Sequence, residues 1–233
     1  MRVLLLTTFF AVSVAAEPQS TPTPSSTPSQ SDETVPREFQ SFAQVNAFRG
    51  EIDDPDGYVN LRSEPRVDAP VVTKVKKDEP FSFERKESAQ WCKVKLSSGA
   101  GGWMHYSRIK LFFTKSDLPE KPKEGDEIDQ QAREHGMNYY EVTQAAAGGD
   151  KAALKKFFSV WDFADGAGAE EHTGVISVVI HLIGDDALAK FLSEQSRDFR
   201  AMVKHSFEVD VTFPFETTEY FRRHFPKTAK ILY

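Results

Sequence analysis

Apolar residues recur along this chain with two different periods. Between about residues 48 and 113 they alternate with polar ones in short runs bounded by turn signals, the signature of strands. Asp53-Asp54-Pro55-Asp56-Gly57 reads as a turn, Tyr58-Val59-Asn60-Leu61-Arg62 as the strand after it, and Ser63-Glu64-Pro65 as its end. Val71–Val75, Phe81–Phe83, Trp91–Leu96 and a piece beginning at Trp103 follow, the last behind the turn Gly99-Ala100-Gly101-Gly102. About five short strands in roughly 65 residues predict a small closed or half-closed barrel. In Trp91–Leu96 the period of two sends Cys92, Val94 and Leu96 to the core and Trp91 to the opposite face.

Beyond residue 150 the period becomes helical. Asp150 is placed to cap a helix whose Leu154, Phe157, Phe158 and Trp161 recur at i, i+3, i+4 and i+7. Gly184-Asp185-Asp186 opens a similar one with Leu188, Phe191 and Leu192 on a face. Phe199, Met202, Val203 and Phe207 mark another, and a short Thr218–His224 helix ends at Pro226. Val175–Ile180 is rich in β-branched residues, yet its acidic lead Glu170-Glu171 and the following Gly184-Asp185 favour a buried helix. The two Gly-Asp openings repeat at an offset of about 34 residues, a length that fits helical hairpins.

The N-terminus changes the picture again. Met1-Arg2, an apolar run from Val3 to Val14, and Ala15-Ala16 form a secretory signal over residues 1–16. That run is too short for a membrane span, which needs about 20 residues. Residues 17–36 hold five Pro, five Ser and four Thr, too little apolar surface to offset ordering. Residues 17–46 are therefore expected to be a disordered spacer. Residues 47–115 form the barrel, 116–125 a charged connector with two prolines, and 126–233 the helical domain.

The formal charge is −6, which argues against a general nucleic-acid binder. It is unevenly spread: residues 50–115 carry ten acidic and twelve basic side chains, residues 116–233 carry 21 and 14. One cysteine permits neither an intrachain disulfide nor a multi-cysteine zinc site. No stretch after the signal reaches membrane length without a charge or a turn.

Three motifs carry a family resemblance. Asp-Pro-Asp-Gly-Tyr-Val-Asn-Leu-Arg-Ser at 54–63, Trp-Cys-Lys-Val-Lys-Leu at 91–96 and Gly-Trp-Met-His-Tyr-Ser-Arg-Ile at 102–109 resemble, in order and spacing, the bacterial SH3-type domain. The resemblance covers about 60 residues. It implies an SH3-like barrel followed by an all-α helical-hairpin domain, a multi-domain β + α chain. It also implies an exported bacterial protein, periplasmic or extracellular, that binds cell-wall peptide or a protein partner. Trp91 stands where the family keeps its groove tryptophan. The groove proline position reads His105 and the following tyrosine position reads Arg108, so recognition of Pro-rich peptides is not carried over. Tyr58, Trp91, His105, Tyr106 and Arg108 remain as candidates for a shared ligand surface.

Catalytic chemistry finds little support in the residues. Cys92 follows Trp91 on a short strand with its side chain inward, unlike an exposed, electropositive nucleophile. Neither His-Glu-x-x-His, Gly-x-Ser-x-Gly nor a phosphate-binding glycine loop occurs. His172 and His181, nine residues apart, fall on opposite sides of a helix and cannot share a metal. No cofactor or metal is expected. These features describe a non-catalytic exported binding or scaffold protein. The alternative is a cell-wall hydrolase of undescribed type, its site in the helical domain around Glu171 and His172. A third option has the barrel docked on its own helical domain. Nothing in the pattern sets an oligomeric state.

Overall fold

The computed structural model describes residues 47–86, 89–122, 125–209 and 213–233; the signal and spacer lie outside them. Seven strands form one curled antiparallel sheet: β1 (Phe48–Ile52), β2 (Tyr58–Arg62), β3 (Val71–Lys76), β4 (Phe81–Glu84), β5 (Trp91–Leu96), β6 (Gly101–His105) and β7 (Ile109–Leu111). The order β3-β2-β6-β5-β4-β1-β7 leaves β3 and β7 as free ends, so the barrel is half-closed. About five strands are expected from the pattern, and the two additional ones are β1 and β7, which pair with each other (Gly50 opposite Leu111). β7 has only three residues, and β1, with Gly50 at its centre, has no apolar residue between Phe48 and Ile52.

The alternation in β5 is realised in full: Cys92, Val94 and Leu96 are buried, while Trp91, Lys93 and Lys95 face outward. Where β6 meets β2, a Cβ on Gly102 would lie 2.6 Å from the Arg62 carbonyl oxygen. Only glycine permits that approach.

Among the described residues seven helices follow: α1 (Glu127–Glu134), α2 (Tyr139–Ala147), α3 (Lys151–Ser159), α4 (Gly166–Ser193), α5 (Arg197–Glu208), α6 (Thr217–His224) and α7 (Pro226–Leu232). Asp150 caps α3 as expected, accepting from the Ala153 N–H at 2.7 Å. Val175–Ile180 is helical and lies within α4, with Ile176, Val178, Val179 and Ile180 buried.

Two expectations are corrected. Gly184 breaks α4 with φ 76° and ψ 172°, a conformation open essentially to glycine. Asp185 caps not the segment after the break but α7, accepting from the Lys227 and Thr228 N–H groups at 2.9 and 2.8 Å. Pro226 does not merely stop α6; it opens α7, where a missing N–H costs nothing.

The sheet and helices share one continuous hydrophobic core. Phe83 of β4 stacks on Phe215 at 5.8 Å, and Phe113, just beyond β7, meets His181 of α4 at 5.0 Å. Leu118, in the connector, is buried. Among the described residues no helix is long and apolar enough to cross a membrane.

Candidate functional site

The five surface candidates divide into two groups. At the end of β6, His105 lies edge-on to Trp91 at 5.6 Å, the two residues being direct cross-strand partners. Both are half-buried on the outer face. Trp103, which the sequence reading passes over, lies on the same face between Arg62 of β2 and Lys93 of β5. Its signal was the alternation Gly101, Trp103, His105. Tyr58 opens β2, 39% exposed, with the Lys74 ammonium 3.8 Å from its ring centre. Arg108 is ion-paired with Asp54 of the β1–β2 turn.

Tyr106 is different. It begins a single 3₁₀ turn, Tyr106–Arg108, and faces α6. Its hydroxyl donates to the Glu219 carboxylate at 2.8 Å, which raises the phenol pKa chiefly through that bond. The Arg85 guanidinium lies 4.5 Å from the Tyr106 ring and 5.2 Å from Phe215. Arg85 also donates to the Pro214 carbonyl at 2.5 Å. Arg223 of α6 donates to the Ser107 carbonyl at 3.1 Å.

The void left between Tyr106, Phe215, Glu219 and Arg223 is about 10 Å³, no more than one water occupies. Glu219 and Arg223 of α6 thus cover part of Tyr106, which stays half-buried like Trp91 and His105. The sequence reading missed Arg85, Phe215, Glu219 and Arg223. No local signal could have found them, because Tyr106 and Glu219 are 113 residues apart.

A second cluster seals the same junction. The Tyr220 hydroxyl accepts from the Leu111 N–H at 2.9 Å and lies 2.8 Å from His181 Nε2. Because His181 Nδ1 is 2.6 Å from the Ser177 carbonyl, it carries the proton, and Nε2 accepts from Tyr220. Burial lowers the His181 pKa to about 3. His224 Nδ1 lies 2.6 Å from the Asp53 carboxylate. On the Trp91 side, burial and then Arg223 and Arg108 lower the pKa of His105.

Glu171 and His172 are not brought together. Glu171 lines a cleft of about 530 Å³ with Asp126, Tyr139 and Tyr140, and burial followed by the Asp126 charge raises its pKa. His172 points into the core, where it lies 2.9 Å from the Tyr139 hydroxyl and burial drives its pKa to about 3. The two histidines of α4 do face opposite ways, His172 toward Tyr139 and Phe157, His181 toward Phe113 and Tyr220. Cys92 is buried, its thiol pKa pushed up to about 12 by burial. Among the described residues no group of three metal-ligating side chains converges.

Residues 57–110 match the family model of the bacterial SH3 domain. The barrel is a bacterial SH3 domain. The match begins just after β1 and ends within β7, so it leaves out β1 and the helices. No curated protein matches the chain.

Proposed function

We propose that this is a non-catalytic exported protein whose SH3 barrel binds cell-wall peptide or a protein partner. The observation that supports this reading is the division of the barrel surface. α6 packs against the Tyr106 side, whereas Trp91, Trp103 and His105 lie on the outer face with cations beside them. Half-buried aromatics that keep one face open are economical peptide contacts, since they bring large area at low entropic cost. The ligand surface is thus Trp91, Trp103, His105 and Tyr58, with Tyr106 held by Glu219 and Arg108 by Asp54 at its border.

The test is a pull-down of residues 17–233 on insoluble bacterial cell wall, with Trp91→Ala alongside. Retention of the parent and loss of the folded variant support the reading. Equal retention of both removes Trp91 from the surface, and failure of both leaves a protein partner as the ligand. The competing hydrolase reading draws on Glu171, the acid whose pKa is raised inside the cleft. Release of soluble fragments from wall material by the parent chain, abolished by Glu171→Gln, would replace the binding role.

A further inference from the structure

The exposed large hydrophobic side chains among the described residues are Tyr58, Val67, Val71 and Val72. All four lie on the β2–β3 hairpin or the loop within it, at the free end of the sheet. Val67 is 76% exposed, Val71 48% and Val72 47%. Lysines and bulges are among the usual guards of a sheet edge, and β3 carries Lys74 and Lys76. The water-facing Val71 and Val72 stand beside them as apolar contact surface.

The ladder shows which backbone groups face outward. The Lys77 N–H bonds to the Gly57 carbonyl of the β2 side at 3.0 Å. In an antiparallel pair the direction alternates, so Thr73 and Val75 also bond inward and Lys74 and Lys76 point out. Lys76 is already capped by the chain itself: its N–H donates to the Glu79 carboxylate at 3.2 Å and its carbonyl accepts from the Glu79 N–H at 3.2 Å. Lys74 has no such cap. Between Leu61 and Arg62 the register shifts, which leaves Val72 as the extra residue beside the edge. The open stretch is therefore Val71 to Val75, with Glu79 marking its end.

We propose that this edge receives an acidic, extended segment of a partner protein, added as an antiparallel strand beside β3. Main-chain bonds at Lys74 would hold it, as in other strand-addition complexes. Side-chain charge decides the occupant. Lys74 and Lys76 are the charged residues of β3, they share the outer face, and no acid stands among them. A strand with carboxylates at alternate positions meets these lysines across the new ladder, and its apolar positions fall on the face of Thr73 and Val75. A second copy of this chain is the wrong occupant. Antiparallel pairing of two β3 strands over the regular stretch sets Lys74 against Lys74 or Lys74 against Lys76, a like-charge arrangement that destabilises. This surface adjoins the proposed ligand surface, since Lys74 lies on the Tyr58 ring; the wall pull-down turns on Trp91 and this test on Lys74 and Lys76, so the two failures are told apart.

The probe is the end-blocked hexapeptide Glu-Val-Glu-Val-Glu-Val, titrated into isotopically labelled residues 17–233 and followed by amide NMR. Saturable shifts centred on Val72–Val75, with slowed exchange of the Lys74 N–H, are expected. The Lys-Val-Lys-Val-Lys-Val peptide should give none. Lys74→Glu with Lys76→Glu should weaken binding at least tenfold while the amide pattern elsewhere stays unchanged. Absence of saturable shifts up to millimolar peptide overturns the proposal. So does binding that ignores the charge reversal, or a self-associated chain that already protects Lys74.

Discussion

The two ends of the sheet are treated in opposite ways. At β7 the outward Leu111 N–H is taken by Tyr220 of the chain's own α6, behind which His181 and Phe225 complete a buried aromatic cluster. At β3 the outward groups of Lys74 meet no such cover, and valines face water beside them. One edge is finished internally and the other is left for contact. An SH3-like barrel of about 65 residues is marginal alone, so the closed end supplies the stability that the open end does without.

The strongest way to break this contrast is to open the closed end. Tyr220 is 3% exposed and stacks on Phe215 at 5.1 Å. Tyr220→Ala should cost about 3–5 kcal/mol of unfolding free energy in urea, as for other large aromatic truncations. Tyr220→Phe keeps the ring and strands the Leu111 N–H and His181 Nε2, for about 1–3 kcal/mol. An alanine variant losing less than 1 kcal/mol would mean that the barrel does not depend on α6.

Acid attacks the same end through His181 and the helical core behind it through His172. His172 and His181 are buried with pKa values near 3, below the ordinary value of about 6.5. The unfolded chain therefore takes up these protons first. Stability present at neutral pH is lost as pH falls through about 6.5 toward 3, at about 1.4 kcal/mol per unit for each histidine. By pH 5 each should have removed about 2 kcal/mol, a loss visible in urea midpoints at pH 7, 6 and 5. The lowered pKa of His224 adds to it with the same sign. A stability that stays flat over this range contradicts the buried, neutral imidazoles.

A smaller effect is expected where the junction meets solvent. Glu219 is 44% exposed at its side chain, so the Tyr106–Glu219 bond should contribute about 1 kcal/mol or less. A double-mutant cycle of Tyr106→Phe and Glu219→Gln measures it directly. Zero coupling would mean that this bond does not help to hold α6 on the 3₁₀ turn.

How much of this was legible in the residues depends on the range over which each contact acts. The alternation of Trp91–Leu96 and the cap at Asp150 are local, and both were read correctly. The SH3 motifs lie within one short stretch and were legible for the same reason. Asp185 looked like a local cap and serves α7, some 40 residues away, because α7 presents free N–H groups at the break left by Gly184. Pro226 carries the same ambiguity, since a residue that cannot continue a helix is well suited to start one. The packing of α6 against the Tyr106 side had no local trace. It joins residues more than 100 positions apart, as Tyr106 and Glu219 are.

The open end supplies the least costly test of the contrast. Val71 and Val72 already face water, so Val71→Thr and Val72→Thr remove methyl groups that bury little on folding. Each should shift stability by about 0.5 kcal/mol or less, the range of ordinary surface substitutions. Threonine also keeps the branched shape that suits a strand. If the valines are contact residues rather than support, these changes should leave the urea midpoint in place and still weaken capture of the acidic peptide. If either costs as much as opening the Tyr220 end, the valines belong to the core of the free chain and the two ends of the sheet are alike.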